Sequence, residues 1–415
     1  MKTSLFEILR CPYCGGTLEL VESIAHQREG DEIEHGVIAC HCCTFPVVAG
    51  IPVMYLGGGA VAAREEIEAG RPAGAVRAML GVEDDARAAR FQALMGSPEA
   101  TYQELVESLG TDVEGGYFLY RFSDPSYVVA SAVMSAVAGT VLKGGGRAID
   151  VCGGSGHLTR TLLDLSSLAP VIADLYFTKL WLAAHVTAPG SEPVCCDGNA
   201  PLPFARGAFS YAMCADAFMF IWTKRQLVGE MARVIDREGP TALVISHTHN
   251  ERQWSPSWGS PLPPDGYRDL FETMPPRVFS EAGLLSDLVK GGPLDLSRRD
   301  DAATLDADPA LTIVASRDER VYRAHTLEPP PSAVRGELRL NPLYEPSPDG
   351  DRVRLRLRFP SEEYEDEYGA CRLYLAEEVL VDRSALERVL KDGTSAEATD
   401  LIGRRVVLDL PKGYY

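Results

Sequence analysis

The sequence predicts an α/β protein: a largely parallel sheet with helices on both faces, preceded by a small cysteine-rich ribbon and followed by a small C-terminal α+β region. Three observations carry that expectation. From residue 117 onward short apolar runs alternate with helical segments, the pattern of a sheet whose strands are joined by crossover helices. The first of these runs opens into a glycine-rich loop within IDVCGGSGHLTRTLL, residues 149–163. Of ten cysteines, five fall before residue 44.

A chain of 415 residues exceeds one ordinary core, so about two to four domains are expected. The formal charge of -19 argues against non-specific binding to nucleic acid or an anionic membrane, although a local basic patch is compatible with it. No apolar run approaches the roughly 20 residues of a membrane span. The start, MKTSLFEILRCPYC, has no signal-peptide core, so a cytoplasmic protein is the default expectation.

In a reducing compartment, spaced cysteine pairs point to metal rather than to disulfides. LRCPYCGG supplies Cys11 and Cys14, and IACHCCTFPVVAGIPVM supplies Cys40, Cys42 and Cys43. Two C-x-x-C knuckles suit tetrahedral zinc, with Cys11, Cys14, Cys40 and Cys43 as ligands; Cys42 or His41 is an alternative in the crowded second knuckle. Four thiolates leave no open coordination position, so this zinc has a structural job. With FPV (Phe45, Pro46, Val47) and GIP (Gly50, Ile51, Pro52) after the knuckle, residues 1–56 resemble the Trm112-like zinc ribbon family. The resemblance implies a partner or accessory module of a methyltransferase, here fused as a domain over 1–58. The other cysteines, Cys152, Cys195, Cys196, Cys214 and Cys371, read as small buried residues.

Gly57 to Gly59 mark a linker. AVAAREEIEAGRPAGAVRAML and ARAARFQALMG then read as helices interrupted at Gly-Arg-Pro, within a helical segment over 59–116. They either join the ribbon to the core or form a lid over its site. RAIDVC, APVIADL, EPVCCDG, FSYAMCAD and PTALVISH are the strand candidates of a core over 117–325. In such sheets a ligand sits beyond the carboxyl ends of the strands, where the strand order switches.

Each early strand ends in a suitable residue. The first delivers Asp150 and CGGSG, whose small residues let backbone approach a ligand. The second delivers Asp174, near the distance at which an acid binds ribose hydroxyls. The third delivers Asp197, followed by Gly198, Asn199 and PLPFARGAFS. This ordered set resembles the class I S-adenosyl-L-methionine-dependent methyltransferases, with their Rossmann-like sheet, over residues 117–325. The resemblance implies that Asp150, Gly154 and Gly156, with Cys152 beside them, meet the cofactor's amino acid end. It implies Asp174 for the ribose diol, and Asp197 with Gly198 at the adenine. Tyr120, in GGYFLYRFSDPSY with Tyr117, Arg121 and Tyr127, lies where the family often closes over the cofactor.

A nicotinamide dehydrogenase is the weaker reading, because Cys152 fills the first glycine slot of G-x-G-x-x-G and Leu158 sits near the third. A small side chain fits that first slot if its φ is negative. No Walker motif occurs.

The fourth strand leads to Asp216, and the fifth ends in ISHTHN. On an extended strand His247 and His249 share a face. Either is a candidate general base, or the pair simply bonds its neighbours. A metal held by His247, His249 and Asp216 is a further option that i, i+2 spacing supports poorly. Methyl transfer chiefly needs alignment, and a readily ionised acceptor needs no base. The segment NERQWSPSWGSPLPPDGYRDLF, with Trp254, Trp258 and Tyr267, suits an apolar or ring-containing substrate.

PRVFSEAGLL and LTIVASRDERVYRA read as the last helix and strand of the core, and EPPPS as a stiff linker. In the C-terminal region, 326–415, Val353, Leu355, Leu357 and Phe359 alternate with Arg352, Arg354, Arg356 and Arg358 after a Pro-Asp-Gly turn. A charge match within the region is favoured over a phosphate-binding face, with the acids of SEEYEDEY close by. Packing against the core and formation of a homo-oligomer both remain open for this tail.

The leading expectation is a methyltransferase acting on a small organic molecule of the secondary-metabolite kind, by direct displacement. The alternatives are a base methyltransferase for ribosomal or transfer RNA, since a zinc ribbon before such a core also resembles the large-subunit ribosomal RNA guanine methyltransferases, and a non-catalytic scaffold.

Overall fold

The computed structural model describes the chain apart from residues 111–114, 256–258 and 328–333, and apart from the side chains of 115–117. Trp258, the EPPPS linker and the ring of Tyr117 therefore lie outside the described residues.

The α/β architecture is present. Seven strands form the central sheet: β1 (Ala148–Val151), β2 (Val171–Asp174), β3 (Glu192–Cys195), β4 (Tyr211–Ala215), β5 (Ala242–His249), β6 (Pro276–Ser280) and β7 (Ala310–Ser316). Their order across the sheet is β3-β2-β1-β4-β5-β7-β6. The first five strands are parallel to their neighbours, whereas β7 runs antiparallel between β5 and β6. The strand order switches between β1 and β4, which places a crevice above their carboxyl ends. PRVFS, expected within a helix, is β6; the helix begins after it at Glu281, where Ser280 caps Gly283 N–H.

The strands read as continuous apolar runs because both faces are covered. Alternate residues divide between two layers: Ile149, Val151, Ala212, Cys214, Leu243 and Ile245 pack with Leu227 and Met231 of the helix Lys224–Val234. Ala148, Tyr211, Met213, Ala242 and Val244 pack with the helix Pro125–Val141 on the other side.

The N-terminal ribbon is built on antiparallel strands Glu32–Ala39 and Thr44–Val48, with the second cysteine knuckle as their turn. Its apolar residues do not form a core of their own. Leu5, Leu9, Phe45 and Val47 share one core with Val171, Val194 and Phe204 of the sheet side. Val53 also pairs in parallel with Cys195, and Met54 N–H donates to the Cys195 carbonyl at 2.7 Å, so the ribbon covers the open edge of β3. Helices Gly58–Glu68, Pro72–Met79, Asp85–Met95 and Tyr102–Leu109 follow, and Phe91 meets Trp181 edge-on at 5.8 Å. Pro72 opens the second of these helices, the position where its missing N–H costs nothing.

The C-terminal region packs against the core. Arg160 Nη1 donates to the Asp409 carbonyl at 2.6 Å, and Tyr414 stacks on Tyr102 with ring centroids 4.5 Å apart. Its three-stranded sheet contains Arg352–Leu357, and three of the four arginines, Arg354, Arg356 and Arg358, are matched locally. Arg354 pairs with Asp349 at 2.6 Å, Arg356 with Glu378 at 3.5 Å and Arg358 with Glu345 at 3.3 Å. These partners sit on neighbouring strands. SEEYEDEY instead forms the helix Glu362–Tyr368, which reaches toward the carboxyl end of the central sheet. Among the described residues, no helix is long and apolar enough to cross a membrane.

Candidate functional site

The loop after β1 turns sharply, and its residues divide the work. Gly153 presses against β2: a Cβ there would stand 2.8 Å from Ile172 Cγ1. Gly156, at φ 80°, lets the segment around Ala183 approach, since an added Cβ would come within 2.8 Å of Ala183 Cβ. Gly154, at φ 57°, has nothing within 4 Å of an added Cβ and leaves open space above the loop. Cys152 departs from expectation. Its φ is 58°, in the left-handed region, where an L side chain costs about 1–2 kcal/mol. Its thiol packs toward Gly198, where an added Cβ would lie 3.2 Å from Sγ. A hydrogen bond with Cys214, together with burial, pushes this thiol well up, the opposite of what activates a nucleophilic cysteine.

The three strand-end acids lie on adjacent strands but serve differently. Asp150 is buried under the loop, accepts a hydrogen bond from Thr159 Oγ1 at 2.7 Å and is pushed up to about 7 by burial. It supports the turn from below. Asp174 accepts from Gly154 N–H and Tyr176 N–H, each at 2.9 Å, tying the β1 loop to the β2 end; burial raises its carboxyl. Asp197 accepts from the Asn199 backbone N–H at 2.8 Å, and Asn199 Oδ1 in turn accepts from Trp222 N–H at 2.7 Å. Tyr120 is half-buried and meets Tyr364 edge-on at 5.7 Å, which places it against the C-terminal region.

Across the switch point stand Asp216 and His247. Arg121 Nη2 lies 3.3 Å from Asp216 Oδ2, while its Nη1 donates to Ser126 Oγ at 2.5 Å and lies 3.6 Å from Asp124. Burial pushes Asp124 up to about 8 against the pull of Arg121, and Tyr364 OH donates to it. His247 is not on a regular strand. The β5–β7 register slips between Ile245 and Thr248, and His247 has φ 50°. This bulge re-aims the histidine. Of five non-glycine left-handed residues among those described, Cys152, Asp216 and His247 sit at the ends of the neighbouring strands β1, β4 and β5. Backbone strain gathered in this way marks functional sites.

Glu281 grips His247, accepting its backbone N–H and its Nδ1–H, each at 2.7 Å. Burial works against a charge on this ring, yet Asp216, Glu281 and Glu367 outweigh it and hold His247 at about 9. His249 lies beside it, with ring centroids 5.5 Å apart, its Nδ1 3.0 Å from Ser255 Oγ and its Nε2 3.3 Å from Glu367.

Glu281 and Glu367 were missed in the sequence. The first follows an unexpected strand, and the second is one of many acids in SEEYEDEY. The group of possible ligands here is His247, His249 and Glu367, so Glu367 stands where Asp216 was expected. Asp216 Oδ1 is 3.9 Å from His247 Nε2. Tyr267 is buried and braces the bulged strand, its hydroxyl donating to the His249 carbonyl at 2.8 Å, so it does not face a substrate. Trp254, with Phe220 and Trp222, which the sequence did not single out, is exposed.

In the ribbon the structure gathers Cys11, Cys14, Cys40 and Cys42. The Cys11–Cys42 and Cys14–Cys40 Sγ separations are both 3.7 Å, and Cys40–Cys42 is 3.4 Å. Four sulfurs about 2.3 Å from a tetrahedral zinc would stand about 3.8 Å apart, so this set fits the ion. Cys43, expected as the fourth ligand, lies outside the group. Its carbonyl accepts from Cys40 N–H at 3.0 Å, making the hairpin closure, and it packs against the core; Cys42 at the turn takes its place.

No family model matches the chain, and no curated protein matches it. Solved structures do. A "putative methyltransferase" from Bacillus halodurans is 18% identical, covering 45% of this chain and 96% of its own, with a TM-score of 0.30. A chain from the complex between the Haloferax volcanii Trm112 methyltransferase activator and the "putative methyltransferase" is 14% identical, covering 49% and 98%, with a TM-score of 0.32. A geranyl diphosphate methyltransferase in complex with GPP and sinefungin is 16% identical, covering 44% and 77%, with a TM-score of 0.32.

Proposed function

We propose that this chain is a class I S-adenosyl-L-methionine-dependent methyltransferase that transfers a methyl group to a small organic molecule by direct displacement. The observation that carries this reading is the row of acids Asp150, Asp174 and Asp197 on β1, β2 and β3, set around the open backbone at Gly154 beside the strand-order switch. The donor set fits such a cofactor. An ionised carboxylate offers about four lone-pair directions, and the two amides that bond Asp174 leave acceptors for a ribose diol. Asp197, braced by Asn199 and half-buried, suits an adenine amine.

When bound, the cofactor supplies a methyl group already activated on a sulfonium. The chain's part is then to position an acceptor, and alignment alone is worth up to about 7–11 kcal/mol of barrier. Arg121 fixes Asp216, Glu281 fixes His247, and the C-terminal region closes beside them through Tyr364 and Glu367. Exposed Phe220, Trp222 and Trp254 and the net charge of -19 favour a small apolar or ring-bearing acceptor over RNA. The ribbon, with a structural zinc, is read as one part of a chain divided at 1–58, 59–116, 117–325 and 326–415.

A labelled-methyl screen of cell extract, with the labelled product identified by mass, tests the reading. A labelled small molecule is expected. Label in RNA, with binding that falls steeply as salt rises, would overturn the substrate class, and cofactor binding with no labelled product would make the chain a scaffold.

A further inference from the structure

His247 and His249 both commit Nδ1 to a neighbour, Glu281 Oε2 at 2.7 Å and Ser255 Oγ at 3.0 Å. Histidine ligands of metals are oriented in this way, the ring nitrogen away from the ion being held by a second group. Both Nε2 atoms are thereby left facing one space, which Glu367 enters from the C-terminal helix Glu362–Tyr368. One donor atom from each of the three residues lies within 4.8 Å of the others, and His249 Nε2 stands 3.3 Å from Glu367 Oε1. Atoms sharing a cation at about 2.1 Å are roughly 3.0–3.4 Å apart. His247 Nε2 is buried without a hydrogen-bond partner, with Asp216 Oδ1 standing 3.9 Å away.

We propose that His247, His249 and Glu367 bind one divalent transition-metal cation at the seam between the central sheet and the C-terminal region. Two imidazoles and one carboxylate suit borderline cations such as Zn2+, Fe2+ or Co2+, and three protein donors leave open positions for water or substrate oxygen. This nitrogen and oxygen site differs in kind from the all-thiolate ribbon cluster. The cation site stands on its own geometry. Its use, to anchor an acceptor that carries oxygen donors, rests on the methyl-transfer reading.

The test is a Co2+ titration of the full-length, zinc-loaded protein, followed by calorimetry and visible absorption. One Co2+ per chain is expected beyond the ribbon zinc, with weak d–d bands and no thiolate charge-transfer band. Binding should weaken at least tenfold in His249→Ala and in Glu367→Gln. Glu367→Gln keeps the side-chain shape and decides the matter if circular dichroism shows His249→Ala to be unfolded. No Co2+ beyond the cysteine cluster, or undiminished affinity in folded Glu367→Gln, overturns the site. S-adenosyl-L-methionine binding is measured on the same samples. Its retention without cation binding removes the metal site alone, and its loss with cation binding intact removes the methyl-transfer reading alone.

Discussion

Glu281 holds His247 at two points, Oε1 on the backbone N–H and Oε2 on Nδ1–H, each at 2.7 Å. The same carboxylate accepts from Thr312 Oγ1 at 2.7 Å, so the bulge that aims the histidine is anchored to β7 as well. Glu281→Gln keeps the volume but loses the charge and one acceptor. Stability should fall by about 1–3 kcal/mol in a thermal melt, with a loss of methyl transfer. A variant as stable and as active as the parent would show that the grip is incidental.

Asp174→Ala removes the acceptor that ties Gly154 and Tyr176 together and, in our reading, holds the ribose. Cofactor affinity should fall roughly ten- to a hundredfold by calorimetry, the worth of hydrogen bonds to a charged group. Unchanged affinity in the folded variant would remove the ribose assignment.

Cys152→Gly relieves a left-handed φ of 58° at the expense of a buried thiol. The two effects are of similar size, so stability should change by less than about 1 kcal/mol and turnover should persist. Lost turnover with intact cofactor binding would place the thiol in the chemistry.

Zinc content separates Cys42 from Cys43. Cys42→Ser should lose the ion and Cys43→Ser should keep it, as measured by metal analysis of purified protein. Because the ribbon and the sheet share a core through Phe45, Val47, Val194 and Phe204, loss of zinc should lower the melting temperature of the whole chain rather than unfold the ribbon alone. A separate, early ribbon transition would contradict that coupling.

His157, in the helix-entry turn after β1, lies 2.8 Å from Tyr414 OH, which donates to the Phe118 carbonyl. Burial, aided by the charge of Arg121, lowers it from 6.5 to about 3. Between those values the unfolded chain binds a proton that the folded chain refuses. Its contribution to stability is therefore full above pH 6.5 and is lost as the pH falls toward 3, by up to about 1.4 kcal/mol per pH unit. His157→Gln should flatten this acid limb relative to the parent, and identical pH profiles would refute the assignment.

Much of the fold is legible in short windows of sequence. IDVC, VIAD and EPVC read as buried strands because each is an apolar run bounded by turn residues, and the acids at their ends follow from where those strands stop. Arg354, Arg356 and Arg358 are matched within the region, but by Asp349, Glu378 and Glu345 of neighbouring strands rather than by SEEYEDEY, since cross-strand neighbours are set by pairing register. The structure groups Cys42 rather than Cys43 with Cys11, Cys14 and Cys40, because C-x-x-C spacing does not reveal which cysteine the hairpin turn exposes. Likewise PRVFS looks helical beside EAGLL until its pairing with β7 is seen.

The sequence by itself determined the first five strands of the sheet, the glycine loop and the three strand-end acids, because these depend on residues near one another in the chain. The tertiary structure decided what faces His247 and His249. A bulge defined by pairing with β7, a carboxylate from the following helix and another from the C-terminal region converge there. Such convergence depends on how distant segments pack to bury their apolar faces, and no local pattern encodes it.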